Sequence, residues 1–167
     1  MKKIIFTLLG VALIFGACGY KPSSYYAKKM FAGKVFVDVD ASAQDPQNSV
    51  LAKDALVDIL VSRLNLKVVD ERKDADVIMT TRLQSVSFSA IGYDTDGYVN
   101  TYRAHVSLLI SYKTATKQSS ITVSGNYDFA LDSEVISDVK RYEAIKIASD
   151  KAMQDFVSQV AISNFRK

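Results

Sequence analysis

Hydrophobic and polar positions change their spacing several times along the 167 residues, and each change marks an element. Lys2 and Lys3 precede a mostly apolar stretch from Ile4 to Phe15, which falls short of the ~20 residues needed to span a bilayer. From Lys34 the period becomes two. Val35, Val37 and Val39 alternate with Phe36, Asp38 and Asp40, the pattern of a half-buried strand. Ala41 to Asn48 is polar and holds Pro46. Ser49 then suits the N-cap of a helix running to about Leu64. In that helix Ala52, Leu56, Ile59, Leu60 and Leu64 share one face, and Asp54, Asp58 and Ser62 lie on another. Leu66 to Val69 reads as a short strand and Asp70 to Asp76 as a charged turn.

The most regular alternation runs from Tyr98 to Tyr112. Tyr102, Ala104, Val106, Leu108, Ile110 and Tyr112 fall on one face, with Arg103, His105, Ser107 and Ser111 on the other. The next segment repeats it: Ile121, Val123, Gly125, Tyr127 and Phe129 oppose Ser120, Thr122, Ser124, Asn126 and Asp128. Thr114 to Ser119 between them predicts a turn, and hence an antiparallel hairpin. From Val77 to Ile91 the apolar parity flips, with Met79, Thr81 and Leu83 followed by Val86, Phe88 and Ala90. A β-bulge near Gln84 or Ser85 reconciles the halves, because one extra residue exchanges the two faces of a strand. After Leu131, Ser133 or Ser137 can cap a long helix carrying Val139, Tyr142, Ile145, Ala152, Phe156 and Val160 at three- and four-residue steps. The fold class is therefore α+β: a two-layer sandwich, with a mixed or antiparallel sheet of about four strands and two helices on one face. The other face is left open, lined by Arg103, His105, Ser107, Thr122 and Ser124.

Composition alters this picture at the N-terminus. The single cysteine, Cys18, follows the basic and apolar leader and the small pair Gly16-Ala17, the layout of a bacterial lipoprotein signal. The chain divides accordingly into a cleaved leader, residues 1–17, a membrane-proximal tether, residues 18–33, and one folded domain, residues 34–167. Cys18 is the lipid-attachment residue on this reading, and two or three acyl chains make the attachment effectively permanent. Gly19 stands where an inner-membrane retention signal has Asp, which favours the outer membrane. The tether holds Lys21, Lys28, Lys29, Tyr20, Tyr25 and Tyr26 without an acidic residue, a mixture suited to anionic headgroups and equally to a solvated linker. Without Lys2 and Lys3 the 21 basic side chains become 19 against 18 acidic ones, and the formal charge falls from +3 to about +1. Such a balance gives no electrostatic footprint for nucleic acid.

With the elements in place, the chain resembles the lipopolysaccharide-assembly lipoprotein family (LptE-like). The likeness rests on four features: the Cys18-Gly19-Tyr20 start; the Asp96-Gly97 turn before Tyr102 and its alternating strand; the Gly125-Asn126-Tyr127-Asp128-Phe129 strand; and the long terminal helix. Their order and spacing carry it across the mature chain. The resemblance implies an outer-membrane lipoprotein that plugs a β-barrel translocon, assists the barrel's assembly and supports delivery of lipopolysaccharide or lipooligosaccharide to the cell surface. It places the domain on the periplasmic side or within the barrel lumen.

Candidate binding residues follow from charge. Between Asp96 and Asp128 no acidic residue occurs, while Arg103, Lys113 and Lys117 do, so this hairpin can meet the phosphates of lipid A; a solvated strand surface accounts for the same pattern. Some members carry basic residues in the turn before the first long strand of that hairpin and in the loop before the last helix. Here those sites hold Asp94-Thr95-Asp96 and Asp132-Ser133-Glu134. No catalytic set is present. His105 is the single histidine, and Asp94 to Gly97 resembles a calcium loop whose closing Glu position is His105. It reads better as a hairpin turn, and no metal or cofactor is implied. A stand-alone glycolipid carrier and an accessory of another envelope machine, such as a secretion channel, stay open as alternatives. A carrier would need a deep apolar cavity between helices and sheet.

Overall fold

The structure, a computed structural model, describes residues 22–42, 45–131 and 135–165. The expected leader, Cys18 and the Asp132-Ser133-Glu134 loop lie outside the described residues. In chain order the elements are α1 (Ser23–Met30), β1 (Lys34–Val39), α2 (Pro46–Ser62), β2 (Lys67–Val69), a 3-10 turn (Arg72–Asp74), β3 (Val77–Tyr93), β4 (Val99–Lys113), β5 (Gln118–Ala130) and α3 (Asp138–Phe165). The strands form one mixed sheet in the order β2-β1-β3-β4-β5. β1 runs parallel to both β2 and β3, whereas β3, β4 and β5 form an antiparallel meander.

The expected α+β sandwich is present, with five strands rather than about four and three helices rather than two among the described residues. β2 is three residues long and still pairs with β1 from Lys34–Lys67 to Phe36–Val69. The additional helix is α1, which occupies the middle of the segment expected as a tether. Eight residues are too few for a helix to stand alone in water. α1 exists through packing: Ala27 and the following Phe31 are both fully buried in the main core.

The first cap differs from the expected one. Asp45, not Ser49, caps α2; its carboxylate accepts from the Asn48 backbone N–H at 3.2 Å, and Pro46 fills the first helical position. Proline suits that place because its missing N–H has no partner there in any case. Ser49 is instead buried one turn in, donating to the Asp45 carbonyl at 2.8 Å and accepting from Ser42 N–H at 3.2 Å. In α3 the Lys140 N–H donates to Ser137 Oγ at 3.3 Å, so Ser137 is the cap. Ile145, Ala152, Phe156 and Val160 are buried as the spacing predicts, but Val139 is 77% and Tyr142 46% exposed. Burial in α3 begins at Ala144, which meets Ala104 and Phe129. None of its first six residues is buried.

The parity flip in β3 is a bulge where the sequence places it. Leu83 pairs with Leu108 and Ser85 with Ser107, leaving Gln84 as the extra residue. Met79 and Thr81 therefore point into the core on one side of the bulge, and Val86 and Phe88 pack against it on the other. The helix layer comes closest to the sheet at Gly125. A Cβ there would stand 1.9 Å from the Ala148 carbonyl oxygen and 2.6 Å from the Ala152 nitrogen. Gly125, Ala148 and Ala152 let α3 lie directly on β5, and the large side chains Leu108, Ile110, Met153 and Phe156 fill the space beside them.

Candidate functional site

Alternation along three long strands builds the open face, because every second residue turns away from the helices. Register then decides which side chains meet. Ser87, His105 and Asn126 share one row, and Ser89, Arg103 and Asp128 share the next. His105 Nδ1 lies 2.7 Å from Asn126 Oδ1. Ser107 Oγ donates to Gln84 Oε1 at 3.1 Å, so the bulge residue is used on this face. Further along, Ser111 is opposite Ser120 and Ser107 opposite Ser124. The face is a hydroxyl and amide surface built to exchange hydrogen bonds.

Its charges are largely paired. Arg103 donates to Asp128 through both arms of its fork, Nε to Oδ1 at 2.6 Å and Nη2 to Oδ2 at 2.7 Å. The hydrogen bond and charge of Asp128 raise the guanidinium's pKa, and Arg103 holds the Asp128 carboxyl below its ordinary value. On β3, Arg82 is paired with Asp40. Of the three cations expected to meet phosphate, Arg103 is thus already engaged by a carboxylate. Sequence reading missed that pair, because a turn from Thr114 to Ser119 would put Ala130, not Asp128, opposite Arg103. The four-residue turn from Thr114 to Lys117 pairs Lys113 with Gln118, and counting back along both strands puts Arg103 opposite Asp128.

Lys113 and Lys117 sit together at the β4–β5 turn, far along the strands from Arg103. Lys113 is exposed, and Lys117 Nζ lies 6.0 Å from the Tyr112 ring centroid. The turn is tied by Thr114, whose N–H donates to the Lys117 carbonyl at 2.8 Å.

At the opposite end, Asp94 to Gly97 forms the hairpin turn the sequence predicts. Asp94 Oδ1 accepts from the Asp96 and Tyr98 backbone N–H groups at 3.0 and 2.8 Å, and Gly97 takes φ +86°. The Asp94 carboxylate is spent on the backbone of its own turn. Among the described residues no group of three His, Cys, Asp or Glu could hold a metal ion. Around this end the inward aromatics Tyr102, Tyr127 and Phe129 stack, with Phe88 edge-on to Phe129 and Arg141 over Phe88 at 4.8 Å.

The helix layer carries shallow grooves between α2 and α3. One of about 370 Å³ is lined by Leu51, Asp54, Ala55, Asp58, Tyr142, Lys146 and Asp150. Partial burial raises the Asp150 pKa; Lys146 opposes the shift and Asp58 adds to it. This groove lies on the outside of the helix pair, unlike the apolar interior a lipid carrier would need. Among the described residues no helix is long and apolar enough to cross a membrane.

The family model described as lipopolysaccharide-assembly (LptE) matches residues 34–160, from the first strand almost to the end of α3. A comparison with curated proteins finds no match. Among solved structures, a Xanthomonas campestris protein has a TM-score of 0.51 at 10% identity, covering 80% of this chain and 85% of that one. Rare lipoprotein B of Shewanella oneidensis has a TM-score of 0.42 at 14% identity, covering 78% and 91%. A lipoprotein B of Nitrosomonas europaea has a TM-score of 0.47 at 13% identity, covering 79% and 84%. The Xanthomonas likeness shows the shared fold.

Proposed function

This chain belongs to the lipopolysaccharide-assembly (LptE) family, and from that membership we propose that it is the lipid-anchored plug of an outer-membrane β-barrel translocon for lipopolysaccharide. The carrying observation is the family match over residues 34–160, which takes in the whole sheet and most of α3. The open face supports the finer reading. Barrel interiors are polar, and a plug surface of hydroxyls, amides and mutually neutralised charges forms hydrogen bonds there without bringing in uncompensated charge. Arg103 with Asp128, and Arg82 with Asp40, remove the net charge that would otherwise be desolvated on insertion.

In this reading Cys18 carries the acyl anchor in the outer membrane, and the domain reaches the lumen from the periplasmic side. The role is structural, with no reaction catalysed by the chain. Contact with lipopolysaccharide phosphates falls to Lys113 and Lys117, since Arg103 would first have to leave Asp128. A glycolipid-carrier role fits less well, because the space between helices and sheet is occupied by Leu56, Leu108, Ile110, Met153 and Phe156.

Affinity purification of the lipidated protein under mild detergent tests the proposal. A large outer-membrane barrel should be recovered in near-equal amount. Recovery of secretion-channel components alone, or of no barrel, would sink it.

A further inference from the structure

α1 presents two lysines from a helix that is fixed to the core. Ala27 and Phe31 hold α1 against the core, the Phe31 ring lying edge-on to Tyr112 at 5.1 Å and stacked on Phe156 at 6.0 Å. Fixing those two positions leaves Lys28 and Lys29 exposed on the last turn of α1. Tyr112 also receives Lys117 over its ring at 6.0 Å, and Lys113 follows it in the chain. Lys117 is thus brought to the same ring that Phe31 packs against, while Lys113, of opposite strand parity, turns to the open face. No acidic residue occurs from Gly19 to Gly33 or from Gly97 to Tyr127. The nearby Asp76 carboxylate accepts from the Lys34 backbone N–H at 2.8 Å.

The chain leading into α1 is short. Cys18 lies five positions before Ser23, and five extended residues reach at most ~18 Å. The inference rests on the reading of Cys18 as the acyl anchor. With that anchor, α1 stands within a headgroup layer's depth of the leaflet, packed against α3 and the core. A loose tether would leave the domain free to tumble; a packed helix does not.

We propose that Lys28 and Lys29 form a membrane-facing surface that binds the phosphates of anionic phospholipid headgroups and orients the sandwich on the leaflet. Charge complementarity names this occupant. Exposed lysines without a long apolar segment bind at the surface and do not insert. α1 lies outside the residues matched by the family model.

The test uses the chain from residue 18 carrying Cys18→Ser, which keeps the whole folded unit and removes the acyl chains. Co-sedimentation is measured with phosphatidylcholine vesicles, with and without phosphatidylglycerol. Binding should require phosphatidylglycerol and fall as salt is added. Each lysine at such a surface multiplies affinity about fivefold, so Lys28→Gln with Lys29→Gln should weaken binding about 25-fold with an unchanged circular dichroism spectrum. Lys28→Arg with Lys29→Arg should retain it. Equal binding to both vesicle types, or full binding by the double Gln variant, overturns the proposal. So does binding only when lipopolysaccharide replaces phosphatidylglycerol, which would assign the lysines to cargo. Incorporation of labelled palmitate into the full chain tests the anchor separately: failure there with vesicle binding intact removes the anchor reading and leaves the headgroup surface standing.

Discussion

At Gly125 the sequence meets a constraint that no side chain can satisfy, since an added Cβ would fall 1.9 Å from the Ala148 carbonyl oxygen. The obstacle is helix backbone and cannot rotate away, so Gly125→Ala must push α3 off β5. Overpacking of this kind costs about 1–3 kcal/mol. The variant should lose about 2–3 kcal/mol in urea denaturation, seen as a lower midpoint at unchanged slope; a midpoint equal to the parent's would mean the two elements are farther apart. Asp150 gives the opposite sign. Its folded pKa is raised by burial, so the ionised carboxylate penalises the fold at neutral pH, and the penalty disappears once the group is protonated in both states. Asp150→Asn should therefore stabilise by under ~1 kcal/mol at pH 7, with the gain vanishing below about pH 4. A gain independent of pH would assign the effect to packing. For Asp128 the direction reverses. Its lowered pKa makes the Arg103 pair a stabilising contribution above the ordinary carboxylate range, lost as pH falls through the folded value.

Among the elements, the β3 bulge and α1 show what local pattern can and cannot disclose. The bulge was legible because a parity flip from Leu83 to Val86 is written within a few residues, and only an extra residue keeps both halves facing the core. α1 was not. Its two buried positions, Ala27 and Phe31, are four residues apart and look like any linker until Tyr112 and Phe156 supply the other walls. The consequence is that the folded unit begins before residue 34. Phe31→Ala should cost about 3–5 kcal/mol, the usual loss for truncating a buried phenylalanine, whereas Lys29→Ala should stay within about 0.5 kcal/mol. Thermal denaturation of the two variants decides it; equal melting temperatures would return α1 to the status of a linker. The Asp45-Pro46 cap was also legible in principle, since proline at the first helical position is a start signal. Reading Pro46 as part of a loop hid it.

Across the whole molecule, the sandwich has two ends of different character. Acidic and aromatic groups, Asp94, Asp96, Tyr93 and Tyr98, stand at the β3–β4 turn, while the other end mixes Lys113 and Lys117 with Asp74 and Asp76 before β3. The candidate site was half legible: the hydroxyl-rich open face follows from alternation alone, but its near-neutrality follows from strand register. Neighbours in the chain alone set the strand faces, the β4–β5 hairpin, the bulge and the apolar stripes of the two long helices. Their periodicities express one residue's relation to the next few. Closure of the layers is what puts β1 between β2 and β3, packs Phe31 after α1 against Tyr112, and sets Arg103 opposite Asp128. Those choices pair segments far apart in the chain, and their free energy comes from burial and charge contacts that exist only once the layers have closed.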